Sequence, residues 1–116
     1  MVTLSRIAPE IPVPDLKKAI EYYRDKLGFE LISELPSEDY AIVKRDGIAI
    51  HLFRQAENQW RPAGVHIFTH QLEDLYRELH SRGAAICQEI TRKPWGSRDF
   101  RAQDCAGNIL KFTEPV

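Results

Sequence analysis

The residues of this chain able to do chemistry are its histidines, cysteines, serines and scattered carboxylates, and their spacing fits few catalytic arrangements. Ser5, Ser33, Ser37, Ser81 and Ser97 sit in no strand-to-helix elbow that would raise a nucleophilic hydroxyl above a sheet. Cys87 and Cys105 have no neighbouring His to activate a thiolate and show no Cys-x-x-Cys spacing. No glycine-rich loop is present to cradle phosphates. His70 and His80 fall at or on the outer side of a helical segment. His51 lies inside IAIHLF, where a lone strand histidine is more often a hydrogen-bonded structural residue than a ligand. The stretch PWGSRDFRAQDCAGNILKF, residues 94 to 112, poses a separate question. Its Pro-Trp-Gly introduces a short strand that ends in an Asp-x-x-Gly-Asn turn, which either shapes a ligand site or only closes a sheet.

The elements that position these residues follow from punctuation and periodicity. IAPEIPV alternates but carries Pro9 and Pro12, which cannot donate to a ladder, so it reads as an edge strand or one exchanged between subunits. Asp15 caps a helix in which Leu16, Ala19, Ile20, Tyr23 and Leu27 recur at helical spacing, and Gly28 supplies a left-handed C-cap. FELISEL and YAIVKR are strands flanking a PSED turn, and Asp46-Gly47 is a hairpin signal leading into IAIHLF. After a polar loop over residues 54 to 63, holding Trp60 and Pro62, the order starts again with GVHIFT, LEDLYRELHSR and Gly83. Leu16 superposes on Leu72, Ala19 on Leu75, Tyr23 on Leu79 and Gly47 on Gly107, which places IAIHLF opposite NILKFT. The expected architecture is α+β: two β-α-β-β-β repeats, about 4–53 and 64–114, forming an open, cup-shaped mixed sheet with helices on its outer face. With 116 residues the chain suits one domain, 1–116.

Composition excludes several functions. Sixteen Lys and Arg against 17 Asp and Glu leave a net charge of −1, with no electrostatic footprint for nucleic acid. No apolar run approaches the roughly 20 residues of a bilayer span, and MVTLSRIAPE lacks a signal peptide's apolar stretch, so the expectation is a cytoplasmic protein without membrane contact. Its two cysteines read as reduced, small, partly buried hydrophobes.

Side chains alternate along a strand, so each strand divides by parity. Val65, Ile67, Ile48, Ile50 and Leu52 suit the helix side. Opposite them stand Gly64, His66 and Phe68; Ala8, Glu10 and Pro12; Ala49, His51 and Phe53; and Ile109, Lys111 and Thr113. This mixed face is either a lined cavity or a subunit interface, because Phe53 and Phe68 would otherwise be exposed.

The repeated β-α-β-β-β unit, VPDLKKAIEYYRDKLGFEL, IHLF, LEDLYREL and the closing PWGSRDFRAQDCAGNILKF together resemble the vicinal oxygen chelate superfamily. Within it the chain is most similar to the glyoxalase/bleomycin-resistance branch and especially to bleomycin-binding proteins. The resemblance implies that enzymes of this kind hold a divalent metal such as Zn, Ni, Mn or Fe at positions that fall here on Ala8, Gly64, His51 and Lys111. Of these only His51 is a competent ligand, so the expectation is no metal and no catalysis. A slip in register substitutes Glu10 and His66, giving a Glu10, His51, His66 set with two-His-one-carboxylate chemistry.

The resemblance also implies a groove between two subunits that binds a small molecule, bleomycin-like and cationic or aromatic, without turnover. Trp95 then offers an aromatic wall, or else packs on Phe100 and Arg98 to anchor its loop, and Trp60 is a second candidate wall. Phe53, Phe68, His51, His66 and Lys111 line the groove. Phe100 and Arg98 join them unless a bulge turns Asp99, Arg101 and Gln103 inward instead. A net charge of −1 gives little steering of a cationic ligand, and Glu34, Glu38 and Asp39 are the local acidity available. A homodimer, with strand exchange around Pro9 as a variant, is the implied assembly.

Overall fold

The structure is a computed structural model that describes residues 1–116. Asp15 opens the first helix as its spacing predicts: its Oδ1 accepts the Lys18 amide N–H at 3.1 Å, satisfying one of the free donors of the first turn. That helix is α1 (Leu16–Asp25), preceded by β1 (Glu10–Val13) and followed by β2 (Glu30–Leu35), β3 (Tyr40–Arg45) and β4 (Ile48–Arg54). The second half repeats the order with β5 (Gly64–Phe68), α2 (Leu72–Arg82), β6 (Ala85–Arg92), β7 (Arg98–Gln103) and β8 (Ile109–Glu114). The strands form two four-stranded mixed sheets, ordered β1-β4-β3-β2 and β5-β8-β7-β6, each with its helix on one face. Only the pairs β1–β4 and β5–β8 are parallel. No helix is long and apolar enough to cross a membrane.

A single core of 16 buried residues joins both halves. Ala19 and Tyr23 of α1 and Leu72 and Leu79 of α2 pack on Ile50, Leu52, Phe100, Ala102, Leu110 and Phe112 of the strands. Each large apolar side chain so buried stabilises the fold by about 2 kcal/mol. The helix-side residues Ile50, Leu52, Val65 and Ile67 lie where strand parity puts them.

Four local expectations need correction. Regular pairing begins at Glu10, so Ile7, Ala8 and Pro9 precede β1, which is an edge strand beside β4. The cap of α1 is Lys26, and Gly28 takes its positive φ of 76° two residues later, as Phe29 turns back to bond the Tyr23 carbonyl. In the β3–β4 hairpin the left-handed residue is Asp46, at φ 52°, not Gly47. Cys87 and Cys105 are exposed rather than partly buried.

The Asp-x-x-Gly-Asn turn is the fold's main polar junction. Asp104 and Asn108 are only 4% and 1% exposed. Asp104 Oδ1 accepts the Ala106 and Asn108 amides at 2.8 and 2.9 Å, and its Oδ2 accepts the Tyr23 hydroxyl and Asn108 Nδ2, both at 2.9 Å. Asn108 Nδ2 also donates to the Pro12 carbonyl at 3.0 Å, and Asn108 Oδ1 accepts from Ala63 N at 2.7 Å. The turn thereby ties β1, α1 and the linker to the second repeat. Burial, with the Asp104 carboxylate beside it, holds the Tyr23 hydroxyl well above its ordinary pKa.

A second junction lies beneath Gly28. Arg45 Nη1 donates to the Leu27 carbonyl and to Glu78 of α2, both at 2.9 Å, while Nη2 meets the other Glu78 oxygen at 2.7 Å. A Cβ on Gly28 would stand 2.7 Å from Arg45 Nη1, and the positive φ is itself unfavourable for a side chain. Gly28→Ala is therefore expected to cost about 1–2 kcal/mol, read as a fall of roughly 4–10 °C in thermal midpoint. An unchanged midpoint would show that the Arg45–Glu78 clamp does not constrain this turn.

Candidate ligand-binding face

The sheet faces turned away from the helices carry the mixed set. On the first sheet, Glu10 pairs with His51 and His51 with Ile42, while Pro12 pairs with Phe53 and Phe53 with Tyr40. The Tyr40 hydroxyl joins these two side chains, 2.7 Å from Glu10 Oε2 and 2.7 Å from His51 Nδ1. A carboxylate only accepts, so the single Tyr40 proton goes to Glu10 and the hydroxyl oxygen accepts Nδ1–H from His51. Neutral His51 then leaves its Nε2 lone pair free. Burial and the Glu10 hydrogen bond push the Tyr40 hydroxyl up to about 12.

On the second sheet the equivalent row reads His66, Lys111, Arg101 across β5, β8 and β7. His66 Nε2 lies 2.6 Å from Thr113 Oγ1, and Asp99, buried beside Thr113, accepts from Gln88 Nε2 at 2.6 Å. Partial desolvation and the nearby Lys111 and Arg101 lower the His66 pKa, with Asp99 opposing them. Phe68 is 61% exposed and its ring centroid lies 4.3 Å from that of His66. A cleft of about 560 Å³ runs beside this face, lined by Ile7, Pro9, Ile48, Ala49, His66 and Phe68 among others.

The register differs from the superposed one at the first strand of each repeat. Glu10, not Ala8, stands beside His51, and His66, not Gly64, stands beside Lys111. This is the slipped register, one pleat along at the same parity. Even so, no three His, Cys, Asp or Glu side chains gather within the chain as a metal-holding group. Glu10 and His51 share Tyr40, and His66 lies on the other sheet. The donor set of one chain does not fit a metal.

Three candidate lining residues are displaced. Phe100 lies in the core, stacked on Phe112 and edge-on to Tyr76, because β7 turns its apolar parity toward α2. Arg98 faces the same way and pairs with Glu73 and Glu114, both within 2.7 Å. Asp99, Arg101 and Gln103 therefore take the open face, which the polar alternation of that parity signals. Trp60 packs against the core and donates Nε1–H to the Pro12 carbonyl at 3.1 Å, so it braces β1. Trp95 does not rest on Phe100. It is 69% exposed on the β6–β7 hairpin, closed by Lys93 N–H to Ser97 O and Gly96 N–H to Lys93 O.

The remaining candidates stay outside this face. Glu34, Glu38 and Asp39 are exposed at the β2–β3 connection, and His70 and His80 are exposed around α2. Tyr40, missed in the sequence, carries the signal of a polar aromatic on the parity of His51's neighbours.

Two β-α-β-β-β repeats, with the helices on one face of their sheets and an open polar and aromatic face on the other, define the class. Residues 3–112 match the Glyoxalase/Bleomycin resistance protein/Dioxygenase superfamily, and the chain belongs to it. It is 25% identical over 127 aligned residues to the bleomycin resistance protein of Geobacillus stearothermophilus, covering 93% of this chain and 95% of that one. The bleomycin resistance protein of Staphylococcus aureus is equally similar. Among solved structures, TioX from Micromonospora sp. ML1 superposes with a TM-score of 0.83 at 21% identity, over 97% of this chain and 99% of its own. Lactoylglutathione lyase from Agrobacterium tumefaciens gives 0.77 at 20% identity, over 96% and 94%. These two show a shared fold.

Proposed function

We propose that this protein sequesters a small molecule stoichiometrically, in the manner of a bleomycin resistance protein, and performs no chemistry on it. The observation that carries this reading is the mixed face turned away from the helices, where His51 and Phe53 are half-buried and His66 and Phe68 exposed. Similarity to bleomycin resistance proteins over nearly the whole length supports it. The ligand sits in a groove closed by a second copy, and the pair works in the cytoplasm. The short edge strand β1 and the exposed apolar residues before it support a homodimer.

Titration with bleomycin, metal-free and copper-loaded, is expected to change tryptophan fluorescence saturably at about one ligand per subunit, with micromolar affinity or better. Absence of any change, or a species that stays monomeric by gel filtration, would overturn the respective half of this reading. The alternative, a divalent-metal enzyme, needs the two-copy groove to bring Glu10 and His51 of one copy to His66 of the other. Stoichiometric metal in the purified protein, lost on His51→Ala, would favour it.

A further inference from the structure

The open face of the second repeat carries two cations that make no salt bridge, with Asp99 the carboxylate that shares their face. Arg101 and Lys111 stand directly opposite one another on β7 and β8, a like-charge cross-strand pair that disfavours the ladder. Neither makes a salt bridge, whereas Arg98, on the other face of β7, makes two. Arg101 Nε is moreover buried with no hydrogen-bond partner, the only such side-chain atom in the molecule. A buried unmet donor costs about 1–3 kcal/mol.

Nearby acceptors do not meet it. Asp99 spends Oδ1 on Gln88 at 2.6 Å and faces Lys93 with Oδ2 at 3.7 Å. Thr113 Oγ1 is engaged by His66. His66 completes the row as the third nitrogen-bearing side chain, beside Lys111. The corresponding row of the first repeat reads Glu10, His51, Ile42, so within this row the cationic pair belongs to the second repeat, and Lys44 stands one pleat away on the first.

We propose that Arg101, Lys111 and His66 form an oxyanion subsite, which takes the carboxylate or phosphate group of the ligand bound in the groove. The proposal rests on reading this face as the groove wall. The planar Arg101 guanidinium presents a fork of N–H groups that matches two oxygens of such a group, while Lys111 adds a point charge and His66 a third donor. The ligand is therefore an anionic or zwitterionic small molecule, whose oxyanion lies on the second repeat and whose aromatic or cationic part lies toward Phe53 and Glu10.

Inorganic phosphate and acetate are the probes, followed through the imidazole resonances of His66 at fixed pH, with those of His51 as internal reference. The expected result is a saturable His66 shift with at least one probe and little movement at His51; which probe binds more tightly tells phosphate from carboxylate. Arg101→Met and Lys111→Met should each weaken binding about tenfold or more, and both keep an unbranched stem on the strand. No saturable shift, or an equal one in Arg101→Met with an unchanged backbone spectrum, would overturn the subsite. Bleomycin binding with no phosphate or acetate response would sink this inference alone; the reverse pattern would keep the subsite and remove bleomycin as the ligand.

Discussion

Asp104→Ala is expected to be among the most destabilising single substitutions in this chain, lowering stability by at least about 3 kcal/mol. The carboxylate is 4% exposed and accepts four hydrogen bonds. Truncation leaves the Tyr23 hydroxyl and the Ala106 amide in the interior without acceptors, and buried donors without partners are penalised more heavily than a hydrogen bond is rewarded. With a urea slope of about 1.5 kcal/mol/M the unfolding midpoint falls by roughly 2 M. Asp104→Asn separates shape from chemistry. It preserves the bonds to the backbone amides through Oδ1 but turns an NH2 toward Tyr23 and Asn108 Nδ2, so it should lose a large part of the same stability. A near-wild-type midpoint for Asp104→Asn would mean that the junction works through packing and not through its acceptors.

Trp95→Ala is expected to weaken ligand binding about ten- to a hundredfold while leaving stability within about 0.5 kcal/mol. The ring is 69% exposed, so little packing is lost. Its backbone is nevertheless fixed, by the two hairpin bonds between Lys93, Gly96 and Ser97 and by Gly96 at φ 102°. A large aromatic held out by a stiff turn presents a stacking surface at small entropic cost on binding. Titration of the variant by calorimetry avoids dependence on the fluorophore that was removed. Unchanged affinity would move the aromatic wall to Phe53 and Phe68 and leave Trp95 as a hairpin residue only.

Much of this was legible in the sequence. Asp15, the apolar spacing of α1 and α2, Gly83 at φ 84° and the parity of β4, β5 and β8 are local signals, and the structure follows them. What failed depended on distant partners. Ala8 and Glu10 share a parity, so alternation alone cannot choose the row that meets His51. Trp60 looked free because its acceptor, the Pro12 carbonyl, lies 48 positions away. Phe100 looked inward or outward according to a bulge, and the ring of Tyr76 from α2 decides it. The Asp104–Asn108 segment read as a turn, and only Tyr23 reveals it as an interior junction.

That junction also orders events in time. Its contacts span 81 positions from Tyr23 to Asp104 and 96 from Pro12 to Asn108. During synthesis the Tyr23 hydroxyl emerges long before its acceptor, and the Pro12 carbonyl holds only Trp60 of its two donors. Contacts of such long range slow the final closure and leave the nascent first half exposed meanwhile. Commitment to the native state therefore waits on the Asp104–Asn108 segment.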